Sequence, residues 1–178
     1  MKSIRSVQKY AYALLALARE ENKLTEYKEQ LEVIYEIIRD YPAFYNTLAS
    51  SILDKKLRKI TLHEVFQKEM NMNIIHFLEL LIDREKINYL RSILKKTLKF
   101  IDNDLNIRKV IIHTAFELSH EQMNRLVHAL TKKLDCTIEA EQRIDHQMIG
   151  GIRVNFEANE IDSSLRTKLD HIVFDKNI

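Results

Sequence analysis

The sequence predicts two units in series: an all-α bundle of six helices over residues 1–104, followed by a small α+β domain over residues 105–178. Three observations predict this. Apolar side chains recur at helical spacing from residue 3 to about residue 103, and after Asn103-Asp104 the period drops to two. The 178 residues also hold only two glycines and one proline, which leaves little material for long loops or Gly-rich segments.

The first predicted helix runs from Ser3 to Arg19 and the second from Lys23 to Arg39. Tyr41-Pro42 then breaks the chain, because proline lacks the N–H that a helix interior needs yet fits a first turn, so a short third helix starts there. Asp54 can cap a fourth helix that continues through Phe66. Asn71 or Asn73 opens a fifth that ends at Asp83, and the sixth spans Lys86 to Asp102. Beyond the period change, Ile107 to Thr114 is rich in β-branched residues and predicts a largely buried strand. Ser119-His120-Glu121-Gln122 has capping-box spacing and opens a helix to Lys133. Ile138, Ala140, Gln142 and Ile144 alternate with polar residues, as do Ile152, Val154 and Phe156, so both segments predict strands covered on one face. A last helix is predicted from Ser163 or Ser164 to Phe174.

Composition narrows the function. With 46% hydrophobic residues the chain can bury a core without metals or disulfides. A formal charge of +2 from 28 basic and 26 acidic residues gives no strong global field for nucleic acid, and none is expected as a partner. Cys136 stands alone, which excludes an intramolecular disulfide and suits a reducing compartment. Lys2, Arg5 and Lys9 precede the apolar run Tyr10 to Ala18, as in a signal peptide. That run, however, holds two tyrosines and its helical pattern continues through Leu24, Leu31, Ile34 and Ile38. No apolar run approaches the roughly 18 residues of a membrane span, so no direct membrane insertion is expected.

Catalytic constellations are not in view. Gly150-Gly151 is the only glycine site and is followed by Ile152-Arg153, so it is no phosphate loop; it predicts a structural turn entering a strand. The seven histidines do not pair at metal-ligand spacing. Ser119, His120 and Glu121 are adjacent on a helix and point in different directions, and the capping box accounts for the serine. No catalytic residue, cofactor or metal site is expected.

Excess apolar circumference is the informative feature. Tyr10 to Ala18 is apolar all round, and in the fifth helix only His76 and Glu79 interrupt the run from Ile74 to Ile82. A bundle helix needs one apolar stripe. Either both helices are central and wholly covered, or together they expose a strip for another chain.

Here the sequence resembles a known family. Val7-Gln8-Lys9-Tyr10-Ala11-Tyr12-Ala13-Leu14 resembles the opening of delta subunits of F-type ATP synthases and of the mitochondrial oligomycin-sensitivity-conferring protein. Ile144-Asp145-His146-Gln147-Met148-Ile149-Gly150-Gly151-Ile152-Arg153-Val154 is similar to the family's Asp-x-x-(Leu/Met)-Ile-Gly-Gly-Ile signature, and Ile161-Asp162-Ser163-Ser164-Leu165-Arg166 to its Ile-Asp-Gly-Ser-Val-Arg segment. His146, Ala140 and Ser163 depart from the family pattern. The resemblance implies a non-catalytic stator subunit for ATP synthesis driven by hydrogen ion transport, held peripherally at the cytoplasmic face of the cell membrane. Its N-terminal domain would bind alpha subunits of the catalytic head through the first and fifth helices, with Tyr10, Ala13, Leu14, His76 and Leu80 as groove residues. Its C-terminal domain would bind the b subunit of the peripheral stalk. The alternative from another class is a free-standing helical adaptor that grips a different amphipathic helix.

Overall fold

A computed structural model describes residues 2–66, 70–156 and 159–162, and the chain forms two compact units, Met1–Leu105 and Asn106–Ile178. It is mostly helical, with a smaller α+β part.

Among the described residues of the first unit the α-helices are, in order, α1 Lys2–Glu20, α2 Leu24–Asp40, α3 Pro42–Ala49, α4 Lys55–Phe66, α5 Met72–Asp83 and α6 Leu90–Asp104. Local chemistry places their ends. Pro42 occupies the first turn of α3, where its missing N–H costs nothing. Asn71 caps α5, its side chain accepting from the Asn73 N–H at 2.8 Å. The predicted sixth helix needs correction at its start: Ile87–Tyr89 is a 3-10 turn, and the α-helix begins only at Leu90. Before that turn the chain leaves α5 through a left-handed Glu85 (φ 52°), with the Lys86 N–H donating to the Leu81 carbonyl at 2.7 Å.

The core of this unit is one cluster. From α2 come Tyr27, Leu31, Ile34 and Ile38, spaced at i, i+4, i+7 and i+11; from α6 come Leu90, Ile93, Leu94 and Ile101. Among the described residues three charged side chains are buried in this unit. Lys28 of α2 reaches Asp102 of α6 at 2.9 Å with both side chains nearly covered. Arg58 of α4 is also buried; it donates to both carboxylate oxygens of Glu85 at 3.0 and 3.3 Å, and to the Leu48 carbonyl at 3.4 Å. Arg58 thereby ties α4 to the turn that follows α5.

Among its described residues the second unit holds a four-stranded sheet in the order β2-β1-β3-β4, from β1 Ile107–Thr114, β2 Thr137–Ile144, β3 Ile152–Phe156 and β4 Asn159–Asp162. β1 and β2 are parallel, with Ile107 opposite Thr137 and Thr114 opposite Ile144, so a crossover must join them. That crossover is α7, His120–Leu134. Ser119 and Gln122 form both bonds of the capping box at its start. Val110, Ile112, Ile138 and Val154 face α7, closing a small core with Leu130 and Cys136.

Some sequence expectations change here. β1, expected to be largely buried, buries Val110, Ile112 and Thr114, exposes Lys109 and leaves its other four residues half-buried. Ile144, expected on the covered face, is half exposed: Gln142 ends the covered row by donating to Thr114 Oγ1 and to the Phe116 carbonyl. β4 was not expected at all, since Asn159-Glu160-Ile161-Asp162 lacks a β-rich composition; it pairs antiparallel on β3. The predicted last helix lies outside the described residues.

Gly151 has φ 86°, a conformation open to glycine and costly for a side chain with a Cβ, and it closes the turn between β2 and β3. Gly150 beside it is buried. The turn is built on Asp145, whose carbonyl accepts from the Met148 N–H at 3.0 Å and whose side chain accepts from the Gln147 N–H at 3.0 Å. Gly151→Val is expected to cost about 1–3 kcal/mol, seen as a lower urea midpoint for the second unit. Lys28→Met is expected to cost about 3–5 kcal/mol because it removes the cation paired with the buried Asp102 carboxylate, while Lys28→Met with Asp102→Leu should recover most of that loss. Chemical denaturation of the three chains measures both differences.

Candidate helix-binding surface

α1 and α5 lie antiparallel, fixed by contacts at two heights. Midway, the rings of Tyr10 and Phe77 meet edge to face, 6.3 Å apart and inclined at 74°. At the end, Glu21, just past α1, meets the start of α5: its carboxylate accepts from the side-chain amides of Asn71, at 2.9 Å, and of Asn73. Gln30 of α2 closes the same corner, its Oε1 accepting from the Asn71 N–H at 2.7 Å. A negative charge at the N-terminus of a helix is favourable, since the first N–H groups and the helix dipole both point there.

Glu21 is the electrostatic centre of this corner. Hydrogen bonds from Asn73 first and Asn71 second hold its carboxyl below the ordinary value of 4.5, against the opposing effect of desolvation. Beneath it, burial first and the Glu21 charge second push the Tyr27 phenol up to about 12.

Most of the excess apolar surface is core. In α5, Ile74, Ile75, Phe77, Leu78, Leu81 and Ile82 are all buried; in α1, so are Ala11, Leu14, Leu15 and Ala18. Leu14 is therefore not a groove residue. At zero exposure it has no surface to offer another chain, because it lies on the same helical face as Ala11, Leu15 and Ala18. The other four named residues remain at the surface. Ala13 and His76 are exposed, Leu80 is 41% exposed, and Tyr10 is half-buried. They form a strip: Tyr10, Ala13 and the half-buried Leu17 line the α1 side, and Asn73, His76 and Leu80 the α5 side, each row at i, i+3 and i+7. Leu17 and Asn73 were missed as lining residues, and the buried Phe77 as the ring that supports Tyr10. Phe77 and Leu17 sat inside apolar runs with nothing to single them out, and the partner of Asn73 is 52 residues away in sequence.

Elsewhere the surface carries structural polar groups. A depression of about 400 Å³ on the outer face of the sheet is lined by Lys109, Ile111, Glu139, Glu141 and Asn155, and its charges are paired: Lys109 with Glu139 at 3.6 Å, Glu141 with Arg143 at 2.8 Å. Among the described residues no three His, Cys, Asp or Glu side chains are placed to hold a metal ion, and no helix is long and apolar enough to cross a membrane. Between α1 and α5 the described residues leave a shallow strip, a shape that helix-in-groove recognition can use.

The profile of the ATP synthase delta (OSCP) subunit family matches residues 7–174, and the chain belongs to that family, whose members are non-catalytic subunits of the synthase. It is 40% identical over 172 residues to an ATP synthase subunit delta of Ureaplasma urealyticum, covering 96% of each chain. A Prochlorococcus marinus subunit delta is 31% identical over 165 residues, covering 90% of this chain and 89% of that one; a chloroplastic subunit delta of Galdieria sulphuraria is 30% identical over 161 residues, covering 90% and 91%. The fold is similar to a chain in a cryo-EM structure of the Toxoplasma gondii mitochondrial ATP synthase hexamer, with TM-score 0.67, 16% identity and 97% of both chains covered.

The Glu21 corner has a pH signature. Because its folded pKa lies below its unfolded one, its contribution to stability is complete above 4.5 and is lost as the pH falls through the depressed folded value. Glu21→Gln should therefore melt below the native chain at about pH 7, and the gap should close at about pH 3. Thermal melts across that range check it; a gap that stays constant with pH would contradict the assignment.

Proposed function

We propose that this chain is the stator connector of its ATP synthase: the first unit, as an independently folding six-helix domain, binds the N-terminal helices of alpha subunits on the catalytic head, and the second binds the b subunit of the peripheral stalk. The complex would sit at the cytoplasmic face of the cell membrane, with this subunit peripheral to it. The family membership supports the assembly. The α1/α5 strip is the observation that carries the contact: an amphipathic helix laid along it would cover Leu80, Tyr10 and Ala13 and gain the burial that this unit leaves unused. His76 and Asn73 would meet the polar edges of such a helix.

The mechanism is holding. Rotor torque does chemical work only if the head is prevented from turning, so the connector has to resist twist without supplying any reacting group. Ring packing between Tyr10 and Phe77 and the Glu21 corner give α1 and α5 a fixed spacing, and a fixed spacing lowers the ordering cost of gripping a helix.

Leu80→Asp tests the contact. Its side chain is 41% exposed, so the carboxylate can face water in the free protein and the melt should change little. In the complex the lost burial and the desolvated charge should weaken binding of an alpha-subunit N-terminal peptide by about 100-fold. Calorimetric titration measures it, and unchanged affinity beside a normal melt would place the contact elsewhere. A fragment of residues 1–105 is expected to melt cooperatively with helical circular dichroism; a coil-like spectrum would contradict an independent first domain.

A further inference from the structure

The opposite flank of α1 packs on α6, and its outer surface is built differently from the α1/α5 strip. Tyr12 and Phe100 stack nearly parallel, with centroids 4.5 Å apart and planes 18° apart, and the Lys96 ammonium lies 5.1 Å from the Phe100 ring centre. Tyr12 is 50% exposed. Arg5, Lys9 and Tyr12 share one face of α1 at i, i+4 and i+7; Lys96, Lys99 and Phe100 share one face of α6 at i, i+3 and i+4. Because Tyr12 and Phe100 touch, the two faces adjoin, and all four cations are exposed.

The charge on this seam is one-sided. Residues 2–19 of α1 and 90–101 of α6 contain no aspartate or glutamate, although the whole chain has 26. Carboxylates occur only at the seam's far end: Glu20 closes α1, Asp104 pairs with Arg19 of α1 at 2.6 and 2.7 Å, and Asp102 pairs with the buried Lys28. Like charges gathered along two helices repel and cost the fold stability, so a fold optimised alone would intersperse acids among them. The two rings lie nearly flat against each other. A straight two-helix seam with cations on both sides of an apolar slab matches a helix carrying carboxylates on both sides of an apolar stripe.

We propose that the α1/α6 seam docks an acidic amphipathic helix of a partner protein, with Arg5, Lys9, Lys96 and Lys99 facing its carboxylates and the Tyr12–Phe100 stack receiving one of its apolar side chains. This surface is separate from the α1/α5 strip, and the proposal stands whether or not that strip binds an alpha subunit.

The test is fluorescence anisotropy on the full chain with a synthetic helical peptide of about 20 residues whose glutamates flank a Leu/Tyr stripe. The expected result is saturable binding that weakens about tenfold between ~50 and ~300 mM salt. Lys96→Glu with Lys99→Glu should weaken it by about tenfold or more, and Leu80→Asp should leave it unchanged. If the charge reversal lowers the melt, Lys96→Gln with Lys99→Gln, which only removes charge, should still weaken binding. A version of the peptide with lysine for each glutamate should not bind. Absence of binding, equal affinity for the charge-reversed chain, or capture of phosphatidylglycerol vesicles in place of the peptide would overturn the proposal.

Discussion

The enclosure of α5 is the constraint from which the rest of the first unit follows. A twelve-residue helix with six fully covered apolar side chains needs neighbours on most of its circumference. Tyr10 of α1 supplies one wall through Phe77, and α4 supplies another, where His63 meets Glu79 at 3.0 Å. What remains is a narrow arc bearing His76 and Leu80. A small bundle cannot close over every side of a central helix, because its surface is large for its volume, and the uncovered arc falls next to α1. The strip is thus a remainder of the packing problem, placed where two antiparallel helices can grip a third.

Polar contacts then hold the apolar packing to one geometry. Hydrophobic burial is largely indifferent to small slides of one helix on another, whereas a hydrogen bond fails within a fraction of an ångström. Glu21 fixes the start of α5 against the end of α1, and Arg58 fixes α4 against the turn after α5. Lys28 and Asp102 set the register of α2 on α6. Each of these links joins elements distant in sequence, and each is charge-assisted, which gives it a strength that neutral pairs lack.

Much of the helix and strand pattern was legible in the sequence because it rests on local rules. Periodicity marked the helices, Pro42 opened α3, and Ser119 with Gln122 formed the capping box that their spacing implied. The switch to period two located β1. What was not legible depended on contacts between distant residues. The 3-10 turn at Ile87–Tyr89 follows a left-handed Glu85 held by Arg58 from 27 residues away. β4 has the composition of a turn and is a strand because β3 offers it an edge. Leu14 sits within the same apolar string as Ala13, and only the packing around α1 decides that one is core and the other surface. Motif resemblance could name the string; it could not rank its members.

The proposed seat of another subunit's helix along α1 and α5 can be tested directly. A photoreactive amino acid placed at Ala13 or His76, both exposed and on opposite walls of the strip, tests it within the assembled synthase. Both positions should cross-link to the N-terminal segment of an alpha subunit, and a control at exposed Glu64 on α4 should leave that segment unlabelled. An assembled complex in which positions 13 and 76 label no alpha subunit, or label the b subunit instead, would contradict it.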